Sequence, residues 1–323
     1  GELGRTRQAG ATAKMIVYAG AAKTDYEICE AVGIGATIVV ERPEELPIIA
    51  AAASAQGIEA NVLLRLRPDV DAHTHHHLTT GTSRSKFGMP EKMVRQILAG
   101  CAHPQIVIGG VHFHIGSQID SPECTAQAMN IALPIIDEFD LRTLDIGGGF
   151  PVWYEEEGSA PKPDEFASLV YDKIGNRDLR LIIEPGRSIV ANAGILVATV
   201  MSVEYGRDDQ DMPWRTVTCD TGMADLIRPM LYNAVHQIWP LEKAAPELIP
   251  TSVAGPYCES TDFLGRDLLN LPTLSRGDKL VIMHAGAYGR AKASNYNGNL
   301  IGPELMVNAN RSIQEIPERQ SFG

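Results

Sequence analysis

His112-Phe-His-Ile-Gly-Ser-Gln118 closes an apolar β-strand with small and polar residues. Two later segments, Asp145-Ile-Gly-Gly-Gly149 and Glu184-Pro-Gly-Arg187, end apolar strands in the same way. In parallel α/β barrels the functional residues lie at the carboxyl ends of the strands, so three such strands in succession predict one shared site. Glycines at that position let backbone N–H groups approach a phosphate closely. A histidine and a carboxylate beside the glycines indicate a phosphorylated cofactor with an aromatic ring.

The composition is that of an ordinary globular protein with room for one large domain and a smaller one. Hydrophobic residues make up 44% and charged residues 21% of the 323 residues. The formal net charge of -12 argues against nucleic acid or an anionic membrane as a partner. The longest apolar runs are too short to span a bilayer, and nothing resembles a signal peptide. The five cysteines form no Cys-x-x-Cys pair, and such an odd, scattered set is typical of reduced thiols, so we expect a cytoplasmic protein.

Apolar strands alternate with amphipathic helices through residue 187, and this alternation predicts parallel βαβ units. Two of the helices are predicted around residues 127–139 and 163–174. About six strand–helix units are recognisable, whereas a closed barrel contains eight. We therefore predict an α/β fold, a (β/α)8 barrel of the TIM type without its first strands. At about 30 residues per unit, roughly 60 residues are expected upstream of the first visible helix.

The pattern changes after residue 190, where short β-branched segments are separated by turns. This change predicts a C-terminal antiparallel β domain, either a sandwich or a barrel. The predicted domains are residues 1–190, a partial cofactor-binding barrel, and residues 191–323, whose first strand could come from before residue 1. The predicted strands of the second domain are 197–204, 214–219, 248–253, 279–283 and 304–308.

Seven motifs in the same order resemble those of the alanine-racemase-like, fold-type III pyridoxal-phosphate decarboxylases. One such motif would be weak evidence, but seven in order over nearly the whole chain are strong. The resemblance implies pyridoxal 5'-phosphate as cofactor and an amino acid as substrate. The motifs are Ser85-Lys-Phe-Gly88, His112-Phe-His-Ile-Gly-Ser117, Asp145-Ile-Gly-Gly-Gly149, Glu184-Pro-Gly-Arg187, Arg228-Pro-Met-Leu-Tyr232, Gly255-Pro-Tyr-Cys-Glu-Ser260 and Gly286-Ala-Tyr288.

Within that family, the motifs are most similar to those of enzymes that convert meso-2,6-diaminopimelate to L-lysine and CO2. The resemblance therefore implies a carbon–carbon lyase of lysine biosynthesis. An ornithine-type enzyme would not need Arg228 and Tyr232, because ornithine lacks a distal carboxylate. A decarboxylase of a related substituted amino acid, of the carboxynorspermidine or citryl-ornithine type, is the alternative substrate class.

One family feature is not found in the sequence. The family carries its cofactor on a lysine in a Tyr-x-x-Lys-Ala-Asn motif on the first barrel strand, whereas Lys23 resembles a different position, after the third strand. A Schiff base needs a positioned amine. We expect that lysine to lie upstream of Gly1, because the other site residues are present and the chain opens in a helix without Met. The alternative is a non-catalytic homologue that lacks the lysine.

The resemblance implies a set of cofactor-binding residues. His114 is expected to stack on the pyridine ring, although a histidine there could also belong to the core. Glu184 is expected beside the pyridine nitrogen, where it favours the protonated ring, the better electron sink; its alternative is an ordinary charge at a helix start. The remaining residues expected at the cofactor, at its phosphate or near its ring are Ser117, Gly147, Gly148, Gly149, Arg187, Tyr288 and Arg65.

The resemblance also implies substrate-binding residues and a homodimer with active sites at the subunit interface. Cys258 of the partner subunit would return a proton to the substrate after CO2 leaves, although free cysteines are most often buried hydrophobes. Glu259 would hold the distal ammonium group, and Lys86 would pair with Asp262 of the partner subunit; two unrelated surface charges are the alternative. Arginine suits carboxylates because its fork is planar. The substrate-binding set is completed by Arg187, Arg228, Tyr232 and Tyr288.

The run His73-Thr-His-His-His77 raises the question of a metal site, since alternate residues of a strand share a face. Only Asp69 and Asp71 lie nearby, and no cysteine or acidic cluster completes a coordination set. The stretch is better interpreted as a loop, and no metal is predicted.

Overall fold

The computed structural model describes residues 1–70, 85–154 and 160–316. The chain forms two compact units, each with its own sheet and core. The first unit is Gly1–Pro151 with Ala160–Pro185, and the second is Val152–Ser159 with Gly186–Gly323. The histidine run at residues 73–77 lies outside the described residues. Within the described ranges, no helix is long and apolar enough to cross a membrane.

The first unit alternates strands with helices. Its helices are α1 (Glu2–Gln8), α2 (Asp25–Ile34), α3 (Glu45–Gln56), α4 (Glu91–Gly100), α5 (Pro122–Glu138) and α6 (Pro163–Ile174). Its strands are β1 (Val17–Tyr18), β2 (Thr37–Val40), β3 (Ala60–Arg67), β4 (Met89–Pro90), β5 (Ile106–His112), β6 (Thr143–Asp145) and β7 (Arg180–Ile182).

All of these strands pair in parallel, in the order β1-β2-β3-β5-β6-β7, with the two-residue β4 beside β3. Strands that follow each other in the chain thus lie side by side, without the reversal of order that marks a doubly wound sheet. This is the arrangement of a (β/α)8 barrel, and it confirms the predicted fold class.

Local signals explain where the helices begin and end. Helix α2 starts with a capping box, in which the Glu27 N–H donates to Thr24 Oγ1 (3.2 Å) and the Thr24 N–H donates to Glu27 Oε2 (2.9 Å). It stops at Gly35, whose φ of 75° is the left-handed conformation that glycine adopts most readily. Helix α3 ends in the same way at Gly57, with φ of 66°.

Side chains alternate between two faces along β5 and the residues that directly follow it. Val111, Phe113 and Ile115 are buried in the hydrophobic core of the first unit. Because successive strand residues point to opposite faces, His112 and His114 share the other face. The strand therefore brings two histidines to the end of the sheet where the predicted site lies.

The second unit consists mainly of strands. They are β8 (Leu196–Arg207), β9 (Pro213–Cys219), β10 (Ile238–Pro240), β11 (Thr251–Ala254), β12 (Phe263–Leu268), β13 (Lys279–Ile282), β14 (Leu305–Val307) and β15 (Ile313–Glu315), with short helices α7 (Arg187–Val190) and α8 (Arg228–Tyr232).

Six of these strands form one sheet in the order β10-β13-β8-β9-β11-β12, and β14 pairs with β15. The sequence predicted an antiparallel domain, but β11 runs parallel to β9, with Thr251 opposite Arg215. The sheet is therefore mixed. The chain between β9 and β11 forms α8 and β10 before it returns, and a connection of that length can bring a strand back in the same direction.

Two adjacent glycines of β5 give a test of the sheet. A Cβ atom on Gly110 would clash with the carbonyl oxygen of Thr143 on β6 and lie 2.8 Å from the Thr143 Cβ, whereas one on Gly109 would find its nearest neighbour at 3.9 Å. We expect Gly110→Ala to lower the free energy of unfolding in urea by about 2–3 kcal/mol, as overpacking does. Gly109→Ala is the control, expected within about 0.5 kcal/mol of the parent protein. Equal unfolding free energies for the two variants would contradict the packing of β5 against β6.

Candidate active site

The carboxyl ends of four neighbouring strands carry a set of polar residues that we call the strand-end cluster: Arg65, His112, His114, Asp145 and Glu184. The strand register aligns the set, because Arg65 lies opposite His112 and His112 lies opposite Asp145. Glu184 follows two residues after Ile182, which is opposite Asp145. Beyond the strand ends, the Glu184 N–H donates to the Gly147 carbonyl oxygen (2.8 Å) and keeps the segments together.

Three members of this cluster are especially close. His112 Nε2 lies 3.6 Å from Glu184 Oε2. One ring nitrogen of His112 and one carboxylate oxygen each of Asp145 and Glu184 all lie within 4.8 Å of one another. Asp145 Oδ1 accepts from the Gly147 N–H (2.9 Å). Asp145 Oδ2 and both ring nitrogens of His112 are buried and have no hydrogen-bond partner among the described residues. An imidazole and two carboxylates can also ligate a metal, whereas the family resemblance predicts an organic cofactor at this end of the sheet.

Burial and neighbouring charges set the protonation states of the two carboxylates. Burial, with a contribution from the Glu184 charge, raises the pKa of Asp145 to about 6. Burial also acts to raise the pKa of Glu184, but the interaction with His112 and the charge of Arg65 outweigh it, so that the pKa of Glu184 is lowered. Glu184 is therefore ionised at neutral pH.

His114 is held neutral. Burial, followed by the charges of Arg65 and His112, lowers its pKa to about 4. The Gly148 N–H donates to His114 Nδ1 (3.0 Å), which fixes that nitrogen as the acceptor. The proton of the neutral ring is therefore on Nε2.

The glycine triplet is required by close backbone approaches. A Cβ atom on Gly147 would lie 2.6 Å from the Phe113 carbonyl oxygen, and one on Gly148 would clash with the Glu184 carbonyl oxygen. Gly147 and Gly149 also have φ values of 68° and 93°, which side chains disfavour. No described residue accepts from the Gly149 N–H, so this donor is available to an anion.

Arg65 is anchored by a buried ion pair with Glu41 on the neighbouring strand end. Glu41 Oε2 also accepts from the Gly88 N–H (2.9 Å), and the Glu41 N–H donates to Glu45 Oε2 (3.1 Å). Glu45 in turn pairs with the buried side chain of Lys23 at 3.0 Å. Lys23 therefore belongs to a structural ion-pair network.

The second unit holds a separate group, the arginine–aromatic cluster: Tyr154, Arg187, Arg228, His236 and Tyr288. Arg187 donates to Tyr154 Oη (3.0 Å) and lies over the Tyr288 ring at 4.7 Å. Arg228 lies over the Tyr154 ring at 4.3 Å and contacts His236 Nε2 at 2.6 Å. The two arginines are only 7% and 5% exposed, so the cluster concentrates buried positive charge.

His236 acts as the acceptor for Arg228. Burial lowers the pKa of His236 to about 4, and nearby arginines contribute. A neutral ring can donate from Nδ1 to the Met283 carbonyl oxygen (2.8 Å) and accept from Arg228 at Nε2. Burial also lowers the pKa of Arg228.

The other predicted residues are distributed as follows. Tyr232 Oη contacts Lys292 Nζ at 2.6 Å, and Lys292 also lies 5.6 Å from the Tyr288 ring. Ser117 is half-buried, whereas Cys258 and Glu259 are exposed between β11 and β12.

Asp262 is only 2% exposed and accepts from the N–H groups of Met223 and Tyr257. The pairing of Lys86 with Asp262 of the partner subunit stays a prediction.

Several residues of the two clusters and of the Arg65 ion pair have no role that was predicted from the sequence. His112 and Asp145 stand within the motifs, and their alignment across β5 and β6 could have been found from strand alternation. Glu41 and Tyr154 carry no signal of their own, since their arginine partners lie 24 and 33 residues away in the chain. His236 is nearer to Arg228, but no motif includes it.

The comparisons with known proteins establish the family. Its sequence models, "Pyridoxal-dependent decarboxylase, pyridoxal binding domain" and "Pyridoxal-dependent decarboxylase, C-terminal sheet domain", match residues 1–191 and 168–286. The chain belongs to the pyridoxal-dependent decarboxylases, which confirms the predicted family and its cofactor, pyridoxal 5'-phosphate.

Individual relatives are more specific. The chain is similar to diaminopimelate decarboxylase of Aquifex aeolicus, with 35% identity over 100% of this chain and 77% of the relative. It is also similar to diaminopimelate decarboxylase of Neisseria meningitidis serogroup A, with 37% identity over 96% of this chain and 76% of the relative. The crystal structure of diaminopimelate decarboxylase from Helicobacter pylori complexed with L-lysine matches with a TM-score of 0.90 at 35% identity, covering 99% of this chain and 80% of that chain.

The strand-end cluster fits a phosphorylated pyridine cofactor. The available Gly149 N–H suits a phosphate, and the ionised Glu184 suits a protonated ring nitrogen. The buried polar atoms of His112 and Asp145 that have no hydrogen-bond partner in the described chain lie directly beside Glu184.

The ion pair of Arg65 with Glu41 gives a prediction on stability. Glu41→Gln removes the ion-pair partner of the buried Arg65, so we expect the free energy of unfolding to fall by about 3–5 kcal/mol. The control is Glu138→Gln, which removes an exposed partner of Arg95 and should cost less than about 1 kcal/mol. Equal losses in urea denaturation would contradict the structural importance of the Glu41 pair.

The neutral state of His236 gives a prediction on pH. Its pKa is lower in the folded protein than the ordinary 6.5, so the unfolded chain binds this proton first as the pH falls. Stability that is fully present above pH 6.5 should therefore decline towards pH 4, by up to about 1.4 kcal/mol per pH unit from this group. His236→Gln should flatten the decline of the unfolding free energy, measured by urea titrations from pH 7 to 4.5. An unchanged slope would show that His236 is not buried as a neutral ring.

Proposed function

We propose that this protein catalyses the pyridoxal-phosphate-dependent decarboxylation of meso-2,6-diaminopimelate to L-lysine and CO2. The observation that carries the substrate assignment is the arginine–aromatic cluster, in which Arg187 and Arg228 are nearly buried beside Tyr154. Such buried positive charge suits a substrate carboxylate. Diaminopimelate has a second carboxylate, whereas ornithine and lysine do not. The similarity to diaminopimelate decarboxylases of several bacteria supports the same substrate.

The strand-end cluster would hold the cofactor. Ser117 and the backbone at Gly147, Gly148 and Gly149 would bind the phosphate, and the neutral His114 would lie against the ring without adding charge. Arg65, fixed by Glu41, would reach the ring from its neighbouring strand. When bound, pyridoxal phosphate accepts the electron pair of the broken bond to the carboxylate into its ring.

Glu184 would stabilise the protonated form of the pyridine nitrogen, because a carboxylate favours an adjacent positive charge. Its lowered pKa keeps it ionised in the neutral pH range. A neutral glutamine at this position could hold the ring in place but could not offer that charge.

The substrate would be bound by residues that carry complementary charges. Arg228 and Tyr232 would hold the distal carboxylate and Glu259 the distal ammonium group, while Arg187 and Tyr288 would contact phosphate or substrate. The Cys258 thiol would donate the proton that replaces CO2 on the α carbon, which is general acid catalysis. The exposure of Cys258 and Glu259 supports their contribution to the site of a partner subunit.

We further propose a homodimer that acts in the cytoplasm in lysine biosynthesis. The resemblance to the family supports the dimer, because in it the residues at the positions of Cys258 and Glu259 reach the site of the partner subunit, and both are exposed in this chain. The five scattered cysteines support a reducing compartment, because an odd number cannot pair completely in disulfides.

Assay of the full-length protein tests the substrate. We expect release of CO2 and formation of L-lysine from meso-diaminopimelate, and no turnover of ornithine. Arg228→Gln should raise KM for diaminopimelate about 10–100-fold, as expected for loss of a charge-assisted hydrogen bond. Arg207→Gln, at an exposed position, is the control and should keep the parent KM. Turnover of a different amino acid without CO2 release from diaminopimelate would refute the substrate assignment.

A further inference from the structure

His112 is the most unusual polar residue of the strand-end cluster. Its side chain is 1% exposed, and neither ring nitrogen has a hydrogen-bond partner among the described residues. A buried polar atom that lacks a partner costs about 1–3 kcal/mol. A side chain with two such atoms is therefore expected to have a function that offsets the cost.

The position of His112 indicates what that function is. Its neighbours in the register are Arg65 on one side and Asp145 on the other, and Glu184 Oε2 lies 3.6 Å from Nε2. Arg65 is paired with Glu41 and His114 is neutral, and the carboxylates of Asp145 and Glu184 both have an oxygen within 4.8 Å of a His112 ring nitrogen.

We propose that His112 and Asp145 are positioning residues that keep Glu184 ionised and thereby keep the pyridine nitrogen of the cofactor protonated. A neutral imidazole has one donor and one acceptor, and its acceptor would face a carboxylate unfavourably. A protonated imidazole has two donors and can serve Asp145 and Glu184 together. This inference rests on the proposed function of Glu184, and it adds the two residues that keep Glu184 ionised.

The charges of the cluster agree with this arrangement. A protonated His112 between two ionised carboxylates leaves one net negative charge, which a protonated ring nitrogen balances. Without His112, Asp145 and Glu184 would repel each other in a buried site, and one of them would take up a proton. A protonated Glu184 no longer favours a protonated ring nitrogen.

The Glu184 side chain can reach His112 more closely than it does here. It is 32% exposed, and the separation of 3.6 Å is only slightly beyond hydrogen-bond range. Catalytic hydrogen bonds are often long before the ligand is present and tighten in the complex. Asp145, in contrast, is held in place by the Gly147 N–H and by its own strand.

The ¹⁵N NMR shift of ¹⁵N-labelled pyridoxal phosphate bound to the full-length protein reports ring protonation without any turnover. We expect a protonated nitrogen in the parent protein from pH 6 to 8. In His112→Gln and in Asp145→Asn, the midpoint of its titration should fall by about one pH unit or more, and a lower pH should restore the protonated signal. Glu184→Gln should abolish the protonated signal and serves as the positive control.

The outcomes separate this inference from the proposed function. If His112→Gln and Asp145→Asn both bind the cofactor and keep the parent titration, the inference is refuted, while the role of Glu184 stands. If the parent protein shows the expected ¹⁵N titrations but does not act on diaminopimelate, the proposed substrate fails and the inference stands. Failure of the parent protein to bind pyridoxal phosphate refutes both. Circular dichroism shows whether each variant is folded. Asp145→Asn keeps the side-chain volume, so this variant tests the inference even if His112→Gln does not fold.

Discussion

The register of the parallel strands β3, β5, β6 and β7 is the constraint on which the strand-end cluster depends. It sets Arg65, His112 and Asp145 in line across neighbouring strands. A shift by one residue would turn each of these side chains to the opposite face. The glycine triplet extends the alignment beyond the strands, because its small residues let the chain at Glu184 approach and bond to Gly147. The arrangement of the polar side chains in the strand-end cluster is therefore a consequence of strand register and backbone packing.

Burial and neighbouring charges together set the protonation state of each ionisable group. It keeps His114 neutral and raises the pKa of Asp145, while Glu184 stays ionised because its positive neighbours outweigh its own burial. Arg65 is charged in the interior because Glu41 compensates it. In the second unit, the neutral His236 accepts a hydrogen bond from Arg228. This contact does not compensate the positive charge of Arg228, which suits an anionic substrate group.

Features that depend on local sequence were predictable, and features that depend on distant partners were not. The helix predicted over residues 163–174 has those bounds, because Pro163, the apolar stripe and Gly175 mark it. Strands β10 and β12 were not predicted, since Pro240 and Gly265 weaken the pattern and pairing with other strands makes them extended. The strand-end motifs gave the family, which the comparisons confirm. The ion pair of Glu41 and the contacts of Tyr154 needed the fold.

A crystal structure of the protein with bound pyridoxal phosphate tests the central claim most directly, because it locates the ring relative to the strand ends. We predict the pyridine nitrogen within about 2.6–3.2 Å of a Glu184 carboxylate oxygen. The same structure should show the His114 ring against a face of the cofactor and the phosphate at the N–H of Gly149. A cofactor bound elsewhere, or one whose ring nitrogen points away from Glu184, would contradict the account.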